Sequence, residues 1–299
     1  MTAPVMKVEK LTKRYGAYNA VDAVTFSVQS SEVVGFVGLN GAGKSTTINT
    51  ILGFLRATSG SIELFGERVL PETAHKTHQK IGFASGDMSL FLNLTGRQYF
   101  SFIAGQFRLK NLTRRDELIA MFHPELTKKI GDLSRGNKQK IALIGAFMAN
   151  PELVILDEPS SGLDPLMQAT FIELIRQEQV RGTTIFMSSH YLNEVVDVCT
   201  RILLIKAGKL VKDMPAQDLL GSGGKVVRLV STNRVDTLRR ASMVQRSKDD
   251  GGYVLTFVYS GKPALLQQWL SSVTGLVDIS ITDHDVEAAF EEIYEQEAE

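Results

Sequence analysis

Apolar residues along the chain form short continuous runs separated by amphipathic stretches, which predicts strands alternating with helices. Val33–Val37 is apolar almost throughout, as expected of a strand buried on both faces of a sheet. A Gly-rich turn follows, and the pattern from about Gly43 to Leu55 predicts a helix. The same alternation predicts strands at Leu153–Leu156, Thr183–Met187 and Arg201–Ile205, and helices at Pro165–Val180 and Tyr191–Val198. We therefore predict an α/β fold with a mainly parallel sheet.

Further strands are predicted before this alternating pattern, and a helical region interrupts it. Strands are predicted near the start at Val5–Leu11 and Ala23–Val28, and then at Ser61–Phe65 and Lys80–Ala84. The middle of the chain has helical periodicity, and Thr95 is placed to be an N-cap. Helices are predicted there at Leu94–Phe107, Thr113–Phe122 and Ser134–Met148.

The last quarter of the chain is organised separately. Gly221–Gly224 has the composition of a linker. Strands are predicted after it at Val226–Val230, Met243–Ser247, Tyr253–Tyr259 and Val277–Ile281, and an amphipathic helix at Asp285–Tyr294. We expect one domain over residues 1–220, with a helical subdomain at about 88–150. A small α+β accessory domain is expected over residues 221–299.

Composition limits the possible functions. The chain has 299 residues, of which 43% are hydrophobic and 22% charged, as is usual for a globular protein. Its 33 basic and 33 acidic residues cancel, so total charge provides no long-range attraction to nucleic acid or anionic lipid. The single cysteine, Cys199, cannot form an internal disulfide. No apolar run reaches the roughly 18–20 residues that span a bilayer, and the first 16 residues lack the apolar segment of a signal peptide. We expect a cytosolic protein.

The clearest chemical motif is the segment GLNGAGKS, which begins at Gly38 and fits the phosphate-binding pattern GxxxxGK[ST]. Its glycines allow backbone N–H groups to converge on phosphate oxygens, and the following helix N-terminus adds positive partial charge. Lys44 is predicted to reach the β- and γ-phosphates, and Ser45 to ligate Mg²⁺. The predicted phosphate-loop residues are Gly38, Asn40, Gly41, Gly43, Lys44, Ser45 and Thr46.

Two carboxylates, Asp157 and Glu158, directly follow the apolar run Leu153–Leu156. Carboxylates at the end of a buried strand are costly unless they have a partner. We predict that Asp157 holds Mg²⁺ through its water shell, and that Glu158 orients or deprotonates the attacking water. A GTPase is not favoured, because Lys140 stands where the NKxD motif that reads guanine requires aspartate.

The order of several further motifs resembles the ATP-binding cassette (ABC) ATPases over about Met6–Leu220. Leu133–Asn137, LSRGN, is similar to the LSGGQ signature of that family, and Ser161–Asp164 to its D-loop. Ser188–His190 matches the segment that carries the switch histidine. The resemblance implies a P-loop NTPase cassette with a mainly parallel core, an antiparallel β subdomain and a helical subdomain, and it implies ATP and Mg²⁺ as cofactors. It adds His190 to the predicted catalytic residues Lys44 and Glu158, and adds Tyr15, Ser134, Gly136, Asn137 and Asp164 to the predicted ATP-binding residues.

The sequence departs from the family pattern at two places. Where the family has a glutamine that ligates Mg²⁺ and the attacking water, this chain has Gly86 followed by Asp87. Asp87 can ligate one position later, so it joins Ser45 and Asp157 as a predicted metal ligand. The signature carries Arg135 in place of glycine, which adds positive charge near a phosphate, and asparagine in place of glutamine. We expect ATPase activity to be retained.

The resemblance also implies a biological role. In this family the signature of one subunit completes the ATP site of another, so a chain with one of each should form a head-to-tail homodimer. The motif runs are similar to those of exporter ATPases, which work with a separately encoded membrane permease. We expect a location at the cytoplasmic face of the membrane, with membrane contact only through the permease and with no nucleic-acid partner. The insert Met88–Ile130 is where transporter ATPases contact the membrane subunit, and its aromatic residues either serve that contact or form the core of the insert. They are Phe91, Tyr99, Phe100, Phe102 and Phe107.

Other interpretations stay open at this stage. A soluble ABC-type ATPase of DNA repair would need a long coiled coil, whereas no sustained heptads occur here. A nucleotide-sensing regulator that is not coupled to transport is the other alternative, because Gly86 replaces a ligand. His75 and His78 have the spacing of a metal pair, but we interpret them as surface residues because no third ligand is evident.

Overall fold

A computed structural model describes residues 3–86, 90–189, 192–216, 218, 225–238, 241–249, 252–259 and 261–283. The chain divides into two compact units, residues 1–214 and 215–299. The predicted linker Gly221–Gly224 and the predicted helix Asp285–Tyr294 lie outside the described residues, so the domain boundary placed at residue 220 stays a prediction. Among the helices in the described ranges, none combines the length and apolar character needed to span a bilayer.

Strands and helices alternate along the first unit, in agreement with the hydropathy pattern. Its strands are β1 Met6–Tyr15, β2 Tyr18–Val28, β3 Val33–Val37, β4 Ser59–Leu64, β5 Glu67–Arg68, β6 Ile81–Ser85, β7 Leu153–Asp157, β8 Thr184–Ser189, β9 Arg201–Lys206 and β10 Lys209–Pro215. Its helices are α1 Lys44–Ile51, α2 His75–His78, α3 Gly96–Gln106, α4 Thr113–Phe122, α5 Arg135–Phe147, α6 Pro165–Arg181 and α7 Leu192–Val198.

A six-stranded sheet in the order β10–β9–β3–β8–β7–β6 forms the centre of this unit. The strands from β9 to β6 pair in parallel, which confirms the predicted α/β fold. Every residue of β3, β7 and β8 is buried, as their continuous apolar runs require. The carboxyl ends of these three strands therefore lie at one edge of the sheet.

A second, antiparallel sheet has the order β2–β1–β4–β5. It packs on the central sheet through three phenylalanine rings: Phe26 of β2, Phe36 of β3 and Phe186 of β8. The ring centroids of Phe26 and Phe186 are 5.6 Å apart, and those of Phe36 and Phe186 are 5.3 Å apart. These contacts hold the antiparallel sheet against the strands that end at the candidate site.

The helical insert follows β6 and contains α3, α4, a short 3₁₀ turn at Ile130–Asp132 and the start of α5. Thr95 caps α3 as predicted, because its hydroxyl accepts from the amide of Gln98 while the Gln98 side chain accepts from the amide of Thr95. The predicted extension of α1 to Leu55 is wrong. The amides of Phe54 and Leu55 both bond to the carbonyl oxygen of Asn49, so the chain turns back after Ile51.

The second unit is a four-stranded antiparallel sheet with a helix on one face. The strand order is β12–β13–β11–β14, and Phe257 meets Trp269 edge to face with ring centroids 5.2 Å apart. The elements of this unit are β11 Lys225–Ser231, β12 Ala241–Asp249, β13 Gly252–Tyr259, α8 Pro263–Ser272 and β14 Leu276–Asp283.

Candidate functional site

The loop between β3 and α1 is held tightly by its neighbours. Gly43 has φ 107°, in the left-handed region, and a Cβ atom built there would lie 2.4 Å from the carbonyl oxygen of Ala20 in β2. Only glycine fits this close approach. The amide of Gly208, in the turn after β9, donates to the carbonyl oxygen of Ala42 at 2.9 Å. These two contacts fix the backbone conformation of the predicted phosphate loop.

Helix α1 begins at this loop with its amino end available to an anion. Its N-cap residue, Gly43, makes no side-chain hydrogen bond to the first turn, and that turn holds no acidic residue. The first N–H groups of a helix need external partners, and the helix dipole favours a negatively charged one. Ser45 is exposed and Thr46 is half-buried in this turn. The exposed Asn40 and Gly41 precede it.

Lys44 is 4% exposed, and its ammonium group points back into the loop. The Nζ atom donates to the carbonyl oxygens of Gly38 at 2.8 Å and Leu39 at 3.3 Å. Oε1 of Glu158 lies 3.4 Å from the same nitrogen. A buried ammonium group is tolerated only with such oxygen partners. The geometry joins two of the predicted catalytic residues directly.

Asp157 and Glu158 follow β7 at the same edge of the sheet. In the register of the parallel strands, Asp157 pairs with Ser188, and Val37 at the end of β3 pairs with Ser189. Adjacent strands are about 4.8 Å apart, so the two carboxylates lie within two strand spacings of the phosphate loop. The carboxylate of Asp157 is nearly buried and accepts from the Ser188 hydroxyl at 2.6 Å.

Ser188 also positions Glu158. Its hydroxyl oxygen accepts from the Glu158 amide at 3.0 Å, so one side chain contacts both acidic residues. Glu158 has φ 51°, a left-handed conformation that few residues other than glycine adopt and that costs energy. Sequence reasoning did not assign Ser188 a role of its own. Its signal was only its place two residues before the predicted switch histidine.

The oxygen atoms here suit Mg²⁺. Within the described ranges, no group of three or more histidine, cysteine or acidic side chains could hold a metal ion. Mg²⁺ does not require such a group, because it is usually bound by one or two protein oxygens together with substrate phosphates and water. The Ser45 hydroxyl and the Asp157 carboxylate fit that pattern. The third predicted ligand, Asp87, and the predicted catalytic His190 lie outside the described residues.

His75 and His78 have a different environment. His75 is exposed, and a ring nitrogen of His78 lies 2.7 Å from the carbonyl oxygen of Leu52. The His78 ring also meets Phe54 edge to face. His75 thus agrees with the interpretation of this pair as surface residues, whereas His78 is half-buried.

Tyr15 lies at the end of β1. It pairs with Tyr18 across the hairpin that leads into Ala20, the residue that touches Gly43. Its ring is 49% exposed, and the ammonium group of Lys13 lies 5.1 Å from the ring centroid. The open ring can accept a flat aromatic ligand.

The predicted signature residues form a second cluster at the start of α5. Ser134 is the N-cap, and its hydroxyl oxygen accepts from the Asn137 amide at 3.4 Å. The side-chain oxygen of Asn137 accepts from the Glu125 amide at 3.0 Å. Gly136 approaches the loop after β7, because a Cβ atom built on it would lie 2.9 Å from the carbonyl oxygen of Gly162.

The loop after Glu158 connects the two clusters. The buried side-chain amide of Gln139 donates to the carbonyl oxygen of Pro159 at 2.6 Å, and Arg135 donates to the Ser161 hydroxyl at 2.8 Å. At the end of the loop, Asp164 caps α6 by accepting from the Met167 amide at 3.0 Å. The sequence did not reveal the roles of Gln139 and Ser161.

Comparison with known proteins gives a consistent result. A family model described as ABC transporter matches residues 21–161. The bacitracin transport ATP-binding protein BcrA of Bacillus licheniformis is 35% identical over 219 residues, which cover 72% of this chain and 71% of that protein. The Nod factor export ATP-binding protein I of Burkholderia pseudomallei is 29% identical over 283 residues, 92% of each chain. A solved structure of an ATP-binding subunit of an ABC transporter matches with a TM-score of 0.65 at 29% identity, over 72% of this chain and 92% of that chain.

Proposed function

Because the chain belongs to the ABC transporter ATP-binding proteins, which bind and hydrolyse ATP, we propose that it powers an exporter by acting on a separate membrane permease. The observation that carries the catalytic part is the meeting of Lys44 and Glu158 at the edge where β3 and β7 end. The names of the bacitracin and Nod factor relatives, one a transport and one an export protein, support the transport part.

The site divides the reaction among a few groups. The first N–H groups of α1 and the Lys44 ammonium bind the phosphates and stabilise the negative charge that develops on them. The Glu158 carboxylate orients the attacking water and accepts its proton. Ser45 and Asp157 would hold Mg²⁺, which neutralises charge on the phosphate oxygens when bound. Tyr15 stacks on the adenine.

A second copy of the chain completes each ATP site. Ser134 is exposed at the amino end of α5, and Gly136 follows it in the first turn. Their cluster is attached to the loop after Glu158. A helix N-terminus of this kind favours an anion. In a head-to-tail dimer, Ser134, Gly136 and Asn137 of one chain therefore contact the ATP held by the other.

An exposed apolar patch on the helical insert supports a protein partner. We define the insert patch as Phe91, Leu92 and Phe102, whose exposed fractions are 53%, 53% and 40%. The rings of Phe91 and Phe102 meet edge to face with centroids 5.0 Å apart, beside a cavity of about 410 Å³. Tyr99 and Phe100 are buried instead. Some aromatic residues of the insert therefore form its core, whereas others are exposed and available for contact with a membrane subunit. Large exposed apolar groups favour an interface. We assign this patch to the permease at the cytoplasmic face of the membrane.

Co-expression with a candidate permease tests the proposal. The chain should copurify with the membrane protein in detergent, and vesicles containing both should transport substrate only with ATP. The double variant Phe91→Ser, Phe102→Ser should lose copurification and transport far more than ATP turnover of the isolated chain. Val180→Ser, at a 90% exposed position on α6, is the matched control. Transport that survives loss of the patch would contradict the docking site. ATP turnover without any permease-dependent transport would favour a soluble ABC-type ATPase that is not coupled to transport.

A further inference from the structure

The amino end of α5 is fastened to the loop after Glu158 by an arginine that the family signature does not contain. We propose that Arg135 is a positioning residue: it makes the signature turn and the Glu158 loop of one chain move together. The proposal rests on the dimeric function above, in which the signature turn and Glu158 serve opposite ATP sites. Arg135 would then couple the two sites of the dimer.

The contact has two parts. The Nη2 atom of Arg135 donates to the Ser161 hydroxyl at 2.8 Å. The methylene stem of Arg135 lies on Gly162, where a Cβ atom would come within 2.9 Å of both Cγ and Cδ. Gly162 has φ 84°, so its backbone also requires glycine. The arginine stem therefore packs directly on the main chain of the loop, and the guanidinium group fixes the direction of approach.

Neighbouring contacts place Arg135 in a continuous interface. Gly136 lies against the carbonyl oxygen of Gly162, and Gln139 bonds to the carbonyl oxygen of Pro159. The far side of the loop is also covered, because a Cβ atom at Gly86 would lie 3.0 Å from the Glu158 carbonyl oxygen and 3.2 Å from Cβ of Ser161. The loop is thus held between β6 and α5. Among these contacts, those of Arg135 are made by an exposed side chain, which can be substituted without disturbing the core.

The charge and the shape of Arg135 both indicate that it is there to bind the loop after Glu158. Arg135 is the first residue of α5, and a cation in the first turn opposes the helix dipole. Lysine would keep the charge but offers one donor centre on a flexible stem, whereas the arginine fork is planar and pre-organised. The bond to Ser161 and the packing on Gly162 use the shape of arginine, in addition to its charge. A shift of the signature turn would therefore move the loop that holds Glu158.

Three variants test the coupling: Arg135→Gln, Arg135→Lys and Ser161→Ala. Steady-state ATP hydrolysis gives kcat, KM and the Hill coefficient of the dimer, and binding of ADP reports on the phosphate loop. We expect Arg135→Gln to lower kcat about tenfold to hundredfold, as a small misplacement of a catalytic group does. The Hill coefficient should fall toward 1, with ADP affinity unchanged within about twofold. Arg135→Lys should recover part of kcat, and Arg176→Lys on the exposed side of α6 is the matched control.

A double-mutant cycle separates coupling from general damage. If Arg135 acts through Ser161, the double variant Arg135→Gln, Ser161→Ala should be no slower than the worse single variant. Multiplicative losses, an unchanged Hill coefficient, or a loss of ADP affinity equal to the loss of kcat would overturn the proposal. None of these results would contradict the proposed function, as long as the wild-type chain hydrolyses ATP.

The proposed function has its own test: it fails if the wild-type chain has no ATP turnover with or without the permease. Faster amide hydrogen exchange over residues 158–164 in Arg135→Gln is expected even without turnover, and unchanged exchange there would also overturn the proposal.

Discussion

The Lys44 ammonium lies 3.4 Å from a carboxylate oxygen of Glu158, although Lys44 begins helix α1 after β3 and Glu158 follows β7. The same ammonium group bonds to the carbonyl oxygens of Gly38 and Leu39. A bound phosphate would compete with these oxygens for Lys44. Nucleotide binding therefore also changes the surroundings of the Glu158 carboxylate, and it links substrate binding to the group proposed as the base.

Replacing Lys44 by alanine should abolish most activity. The substitution removes the cation that we propose stabilises charge on the phosphates. Loss of one such group usually costs about a hundredfold to a thousandfold in rate. We expect kcat/KM for ATP to fall by at least that factor in a phosphate-release assay. Lys76→Ala, at an exposed position in α2, should retain the wild-type value. Equal rates for Lys44→Ala and the wild-type chain would exclude the proposed phosphate site.

A buried ion pair should contribute to stability. Arg114 of α4 and Glu178 of α6 are both nearly buried, and their closest atoms are 2.5 Å apart. Glu178 also accepts from the Thr183 hydroxyl at 2.7 Å. Arg114→Met removes the nearer cation from the buried Glu178 carboxylate and leaves only Arg181, whose Nε atom lies 3.8 Å away. Breaking a buried ion pair typically costs about 3–5 kcal/mol. Urea unfolding followed by circular dichroism should show this loss in the free energy of unfolding.

An exposed pair provides the comparison for that experiment. Arg56 and Glu72 form an ion pair in which both side chains are about 60% exposed. Surface pairs of this kind contribute roughly 0–1 kcal/mol, so Arg56→Met should barely change the free energy of unfolding. If Arg114→Met were as mild as Arg56→Met, the ion pair between α4 and α6 would not stabilise the first unit.

The single cysteine should be unreactive in the folded protein. Burial raises the pKa of the Cys199 thiol, and the nearby charge of Glu194 raises it further. The thiolate is the reactive form, so at pH 8 the folded protein should react with a disulfide reagent far more slowly than protein in guanidinium chloride. Only the unfolded chain ionises near the ordinary pKa of about 8.5, so the folded state should lose stability as the pH rises above that value. Equal reaction rates in both states would contradict the burial of this side chain.

Local signals in the sequence predicted the core of the fold. Strands β3, β7 and β8 were evident because both of their faces are buried, which produces continuous apolar runs. Strand β10 was not predicted, since Lys209–Pro215 has no fully buried residue and therefore no apolar run. Helix α8 was also not predicted, because only Leu266 among its ten residues is buried.

In the candidate site, too, local features could be predicted from the sequence and contacts between distant residues could not. The turn between β3 and α1 could be predicted because its residues are contiguous and its glycines have a local backbone requirement. Contacts across the fold could not be predicted in this way. Ser188 meets Asp157 from 31 positions away, and Arg135 meets Ser161 from 26 positions away. Ordinary polar residues form these bonds, and only the folded sheet brings them together.

Replacement of Glu158 by glutamine tests the central claim most directly. Glutamine keeps the shape of the side chain but cannot accept the proton from water, so ATP should bind without being hydrolysed. Light scattering with saturating Mg²⁺ and ATP should then give twice the 32.9 kDa mass of one chain, together with intact bound ATP. The double variant Lys44→Ala, Glu158→Gln should stay at the mass of one chain. Wild-type rates of hydrolysis by Glu158→Gln, or a single-chain mass with saturating ATP, would contradict the account.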